Sequence, residues 1–158
     1  MTLYLGYTNL TILDISSKSI ERAKIRLGDN AAKVNWIIND MLLLSTKIKY
    51  DLWHDCAAFH FLTNESEQNT YANIVHRYLQ PNSFLVLVTF SKNGPQKCSS
   101  LPVQQYSLNS LSVLFGNYFR KVGSLVKEHI TPFNTYQEFI YVTFQKKWML
   151  SQLFTSNA

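Results

Sequence analysis

The sequence predicts an α/β fold, a three-layer sandwich whose sheet is mostly parallel and closes with an antiparallel hairpin. Three observations carry this. β-prone runs alternate with helix-periodic segments, the signature of strand-helix units. The run Phe84-Leu-Val-Leu-Val-Thr-Phe90 is apolar at nearly every position, which a strand tolerates when helices cover both of its faces. Two late strands are separated by a turn short enough for a hairpin.

The elements follow in order. Asn9–Asp14 is a short strand ending in an acid, and Ser16–Gly28 reads as a helix. Ser16 or Ser17 caps it, Ile20, Ala23 and Leu27 share one face, and Gly28 suits a positive-φ end. Val34–Ile38 is a second strand closed by Asn39-Asp40, and Tyr50–Asp55 is a third. Thr63 or Asn64 caps a helix running to about Leu79, with Tyr71, Ile74, Val75, Tyr78 and Leu79 as its apolar stripe and Pro81 just beyond. The segment from Ser91 to Tyr106 reads as a long loop, a length that signals function more often than filler. Ser107 caps a short helix with Leu111, Leu114 and Phe115 inward. Phe119–Lys127 and Glu138–Gln145 form the hairpin through Thr131-Pro-Phe-Asn-Thr135, and Trp148–Phe154 is either a terminal helical turn or a frayed tail.

Composition narrows the function classes. The 158 residues are 46% hydrophobic and 16% charged, enough apolar surface for one domain with a core and the reverse of a disordered composition. Two cysteines, Cys56 and Cys98, make no disulfide framework, so a reducing, cytoplasmic setting is expected. The amino terminus lacks the pattern of a signal peptide, and the longest apolar run is far below the roughly 20 residues of a membrane span. Fifteen Lys and Arg against ten Asp and Glu give a formal charge of +5, but the cations are scattered along the chain. Lys18, Arg22, Lys24 and Arg26, with Glu21 among them, read as a solvated helix face in preference to a phosphate site. His54, Cys56 and His60 lack a fourth ligand at zinc spacing, so no metal is expected.

In a sheet of this kind the ligand crevice lies beyond the carboxyl ends of the parallel strands. Those ends carry Asp14, Asn39-Asp40 and His54-Asp55. With these residues the chain, from about residue 6 to 146, resembles the class I S-adenosylmethionine-dependent methyltransferases. The resemblance rests on Leu13-Asp14-Ile15-Ser16 with its helix, on Asn39-Asp40-Met41, on Tyr50 to Asp55 and on Leu79-Gln-Pro81 before the apolar strand. It looks closest to a branch carrying WHDxAxFHFL, CSxLPV and EHxTPF segments, here Trp53 to Leu62, Cys98 to Val103 and Glu128 to Phe133.

The resemblance implies a Rossmann-like sheet and S-adenosylmethionine as cofactor. Asp14 would accept the two ribose hydroxyls, with Ile15 beside it in the cofactor-binding set; a carboxylate suits that task because it is a two-oxygen acceptor. Asp40 would face the adenine amine and Met41 the ring. His54 and Asp55 would border the methyl group and substrate, with His54 the proton acceptor, since an imidazole titrates near neutral pH. The implied reaction is methyl transfer to a small molecule or a protein side chain, and a non-catalytic, degenerate interaction module is the other reading. A nucleic-acid methyltransferase is not expected: the Asn/Asp-Pro-Pro-aromatic run is absent after the third strand. A membrane partner is not expected, and an open sheet edge would favour self-association.

One departure stands out. The family's first strand and glycine-rich turn have no counterpart here. The chain therefore reads as a methyltransferase-like domain over residues 1–146, truncated at its amino terminus and lacking the usual first strand, with a tail at 147–158. In the family that strand lies between the segments represented here by residues 9–14 and 50–55. Without it these neighbours either pair directly or leave two ladders unpaired, at roughly 1–3 kcal/mol for each buried unpaired amide.

Overall fold

A computed structural model describes residues 7–131 and 134–148, and the chain forms two compact units, Met1–Thr46 and Lys47–Ala158. One expectation, the helical turn or frayed tail at Trp148–Phe154, falls almost wholly outside the described residues.

In the first unit, β1 (Leu10–Asp14) and β2 (Val34–Ile38) form a parallel pair in the register Leu10↔Val34 to Asp14↔Ile38. Between them runs α1 (Ser17–Leu27). The Ser16 hydroxyl caps it by accepting from Ser19 N–H at 3.2 Å, satisfying an amide the first turn leaves open. Gly28 ends it at φ 53°, a sign of φ that carries a steric cost for residues with a Cβ. Ile20 is the residue of α1 that is fully buried.

In the second unit, β3 (Tyr50–Cys56) pairs in parallel with β4 (Leu79–Phe90), which continues antiparallel to β8 (Tyr136–Lys146) and then β7 (Phe119–Ile130). The helices α2 (Glu65–Tyr78) and α3 (Leu108–Phe115) supply the apolar cover. Asn64 caps α2, its side chain accepting from Ser66 N–H at 2.8 Å, and Ser107 with Ser110 forms a reciprocal capping box at α3. Alternation along β4 buries Leu85, Leu87 and Thr89 on one face with Val142 and Phe144 of β8. Rings fill the core: Phe59 lies 4.8 Å from Tyr71, 5.1 Å from Tyr106 and 5.5 Å from Phe115, and Phe115 lies 5.2 Å from Phe144. Each large apolar side chain buried in this way contributes about 1.5–3 kcal/mol.

Three expectations are corrected. The strand predicted from Phe84 begins at Leu79, because Tyr50 pairs with Leu79 and Leu52 with Phe84, so residues 80–83 bulge out of the ladder. Asn82 stands at φ 62° in this bulge, the left-handed region that asparagine tolerates better than most residues. The hairpin is longer than predicted, its ladder adding Glu128↔Glu138, His129↔Gln137 and Ile130↔Tyr136; Pro132 and Phe133 of its turn lie outside the described residues. The long loop holds structure of its own. Within it β5 (Lys97–Cys98) and β6 (Leu101–Pro102) pair across Ser99 and Ser100, both at positive φ, and Leu114 of the following helix is half-buried.

Among the described residues β1 pairs with β2 and β3 with β4, each within the sheet of its own unit. No helix of the described residues is long and apolar enough to cross a membrane.

The Asn82 bulge generates a stability test. Asn82→Gly should leave the denaturation midpoint unchanged or raise it slightly, whereas Asn82→Val should lower stability by about 1–2 kcal/mol, measured by urea unfolding followed by far-ultraviolet circular dichroism.

Candidate functional site

The residues singled out in the sequence fall on both units. Asp14, Ile15, Asp40 and Met41 belong to the first. Because β1 and β2 are parallel and Asp14 is level with Ile38, the two acids stand at the same end of the pair, Asp14 as the last residue of β1 and Asp40 in the turn after β2. A backbone bond joins the turns: Asn39 N–H donates to the Asp14 carbonyl at 3.2 Å.

Both carboxylates have a local task. Asp14 Oδ1 accepts from Ser16 N–H at 2.7 Å, and Asp40 Oδ1 accepts from Leu42 N–H at 2.9 Å, each bridging to the amide two residues on. Asp40 thereby caps the short 3-10 turn Met41–Leu43, and its own N–H donates to Asn39 Oδ1 at 2.9 Å. The second oxygen, Oδ2, of each half-buried acid accepts no hydrogen bond among the described residues. Ile15 is 73% exposed and Met41 is half-buried. The arrangement offers two acceptors on one rim with apolar side chains beside them, and it has the chemistry to take hydroxyl or amine donors of a flat, partly apolar ligand.

His54 and Asp55 belong to the second unit and do not share a face. Successive strand residues point oppositely, and the structure exposes His54 while burying Asp55. Asp55 Oδ1 accepts from the N–H groups of Ala58 and Phe59 at 3.0 and 3.2 Å, and Oδ2 accepts from the Tyr71 hydroxyl at 2.7 Å. Burial raises the Asp55 pKa, opposed by these hydrogen bonds and by His54, while burial and the adjoining carboxylate push the Tyr71 hydroxyl well above its usual range. With both oxygens engaged inside the fold, Asp55 is a positioning residue that fixes the turn after β3 to α2.

That turn also carries a histidine outside the predicted site. His60, in the 3-10 turn Phe59–Phe61, is fully buried, and neither ring nitrogen has a hydrogen-bond partner. It stacks on Phe90 at 4.5 Å and 15°, and burial lowers its pKa to about 4. The signal available in the sequence was a histidine set between two phenylalanines directly after a strand's end. The long loop is fastened to the same turn, Gln104 N–H donating to the His60 carbonyl at 2.8 Å, and Ser91 and Asn93 both donate side-chain hydrogen bonds to Glu138.

His60 makes stability pH-dependent in a defined direction. Its folded pKa lies below the unfolded value of 6.5, so the unfolded chain binds the extra proton and stability falls as pH drops from 6.5 to about 4. The full loss is on the order of 3 kcal/mol. His60→Phe should flatten the stability profile over that window, measured by urea midpoints at successive pH values; an unchanged profile would assign the acid sensitivity elsewhere.

No family model and no curated protein matches the sequence. Solved structures do match. The N-methyltransferase NodS from Bradyrhizobium japonicum WM9 is 16% identical, with a TM-score of 0.72 over 89% of this chain and 74% of its own. A methyltransferase from Methanosarcina mazei is 18% identical, with a TM-score of 0.73 over 94% and 88%. The 1,6-didemethyltoxoflavin-N1-methyltransferase of Burkholderia thailandensis, solved with S-adenosylhomocysteine, is 17% identical, with a TM-score of 0.70 over 92% and 64%. Identities this low speak for backbone architecture, and in that architecture the chain has the Rossmann-like fold of the class I S-adenosylmethionine-dependent methyltransferases.

Proposed function

We propose that the chain is an S-adenosylmethionine-dependent methyltransferase domain that transfers a methyl group to a small molecule or a protein side chain. One observation carries the reading: in a chain of this fold, adjacent parallel strand ends place Asp14 and Asp40 on one rim, each with an oxygen to spare. The residues fit the nucleoside end of the cofactor. Asp14 would accept hydrogen bonds from the ribose hydroxyls, Asp40 would accept from the adenine amine, and Ile15 and Met41 would cover the apolar faces. The bound cofactor supplies an electrophilic methyl group on a sulfonium. The protein's remaining work is positioning, since an in-line displacement gains most from near-attack geometry. The exposed His54 takes the proton released by the acceptor, and Asp55 serves it indirectly by holding the turn that follows β3.

A second reading is a degenerate domain kept for interaction alone. It is favoured by the local work of the acids, since Asp14 Oδ1 and Asp40 Oδ1 each close a turn on the amide two residues on, a task that needs no ligand.

Calorimetry with S-adenosylhomocysteine separates the readings. Under the first, the chain binds in the micromolar range and Asp14→Ala weakens binding by about tenfold or more, the cost of a hydrogen bond to a charged group. No heat at millimolar ligand overturns it in favour of the second.

A further inference from the structure

The tertiary structure of the second unit gathers cations that are scattered in the sequence. Lys49 precedes β3, Arg77 lies in the last turn of α2 just before β4, Arg120 opens β7, and Lys146 and Lys147 close β8. Because β3 and β4 are parallel and β8 and β7 run as a hairpin beside them, all five stand at one end of the sheet, opposite the carboxyl ends of β3 and β4. Hydrogen bonds tie four of them to neutral oxygens nearby. Lys49 Nζ donates to the Arg77 carbonyl, Lys146 Nζ donates to the carbonyls of His76 and Leu79 at 2.7 Å each, and Lys147 Nζ donates to the Gly116 carbonyl. The Arg120 guanidinium donates to Gln145 Oε1.

The row is not neutralised. Among the described residues none of the five is ion-paired with a carboxylate, since all their side-chain bonds go to neutral oxygens. The crowding is felt by the groups themselves: burial lowers the pKa of His76 and of Lys146, and Lys49 pushes both further down, with Lys146 acting on His76 as well. Unbalanced like charge at this spacing destabilises a compact unit until an anion offsets it. Rings lie in the same place. His76 stacks on Tyr118 at 4.5 Å and 24°, and Trp148, next to Lys147, is 58% exposed.

We infer that this end of the sheet binds single-stranded nucleic acid, its phosphates running along Lys49, Arg77, Lys146, Arg120 and Lys147 and its bases stacking on Trp148. An open row of cations suits an extended polyphosphate, and an exposed ring beside it gives sequence-tolerant stacking, the combination such grooves use. The inference stands apart from the methyltransferase reading: the row lies on residues that reading does not use, and it holds for a catalytic or a degenerate domain alike.

The test is fluorescence anisotropy of a short labelled oligouridylate with the full chain across a salt series. Binding is expected to fall linearly with salt on logarithmic axes. The double variant Arg77→Glu, Arg120→Glu should weaken it by at least about tenfold and make the slope shallower by about 1.4, the value for two lost phosphate contacts on a single strand. Trp148→Ala should weaken it by about fivefold, with the salt slope unchanged. Lys147→Glu serves as a second reversal should the double variant fail to fold by circular dichroism. The inference is overturned if the oligonucleotide does not bind at low salt, if charge reversal leaves its affinity unchanged, or if the chain binds phosphatidylserine vesicles while ignoring the oligonucleotide. Heat of S-adenosylhomocysteine binding, measured on the same variants, should be unaltered, so a failure here leaves the cofactor reading where it stood.

Discussion

The buried carboxylate of Asp55 ties the second unit together. It lies on β3, accepts two amides of the turn that follows and takes the hydroxyl of Tyr71 from the middle of α2. A charged or hydrogen-bonding group out of water is costly unless it is hydrogen-bonded, and both oxygens of this one are, by groups of the following turn and of α2. The consequence reaches into the apolar core, because the turn so fixed carries Phe59, around which Tyr71, Tyr106 and Phe115 close. It also fixes His60 against Phe90, where a neutral ring is held without partners for its nitrogens. Removing the Asp55 carboxylate therefore frees the turn amides and the Tyr71 hydroxyl of α2 at once.

The first unit solves a similar problem at smaller cost. A parallel pair of strands ends by exposing amides that the ladder no longer satisfies, and Asp14 and Asp40 each accept from one nearby amide with a single oxygen. That local task is enough to explain an acid at either position. The spare oxygens give the acids an aspect beyond turn formation, because both are at the same end of a parallel pair, where sheets of this class receive ligands. Structural and ligand-binding demands on these residues are thus compatible, and one does not argue against the other.

Much of this was legible in the sequence because it depends on short-range physics. The caps at Ser16, Asn64 and Ser107 are local hydrogen-bond choices, and the apolar run ending at Phe90 records burial on both faces of the strand over Leu87–Phe90, while Phe84 stays exposed. The start of β4 was less legible. Pro81 and Asn82 read as the gap between helix and strand, yet the ladder resumes at Leu79 and accommodates them as a bulge. The different fates of His54 and Asp55 were also hidden, since strand alternation separates neighbours but does not say which of them faces inward.

What the sequence determined by itself is the order and kind of the main elements, and the placing of acids at the end of β1, after β2 and within β3, because propensity, periodicity and capping act over a few residues. The tertiary structure alone decided that Asp55 is consumed in holding a turn, that His60 is sealed among rings, and that cations as far apart as Lys49 and Lys147 share one end of a sheet. The physical reason is that burial and charge crowding are properties of neighbours in space, and strand pairing across long stretches of chain sets who those neighbours are.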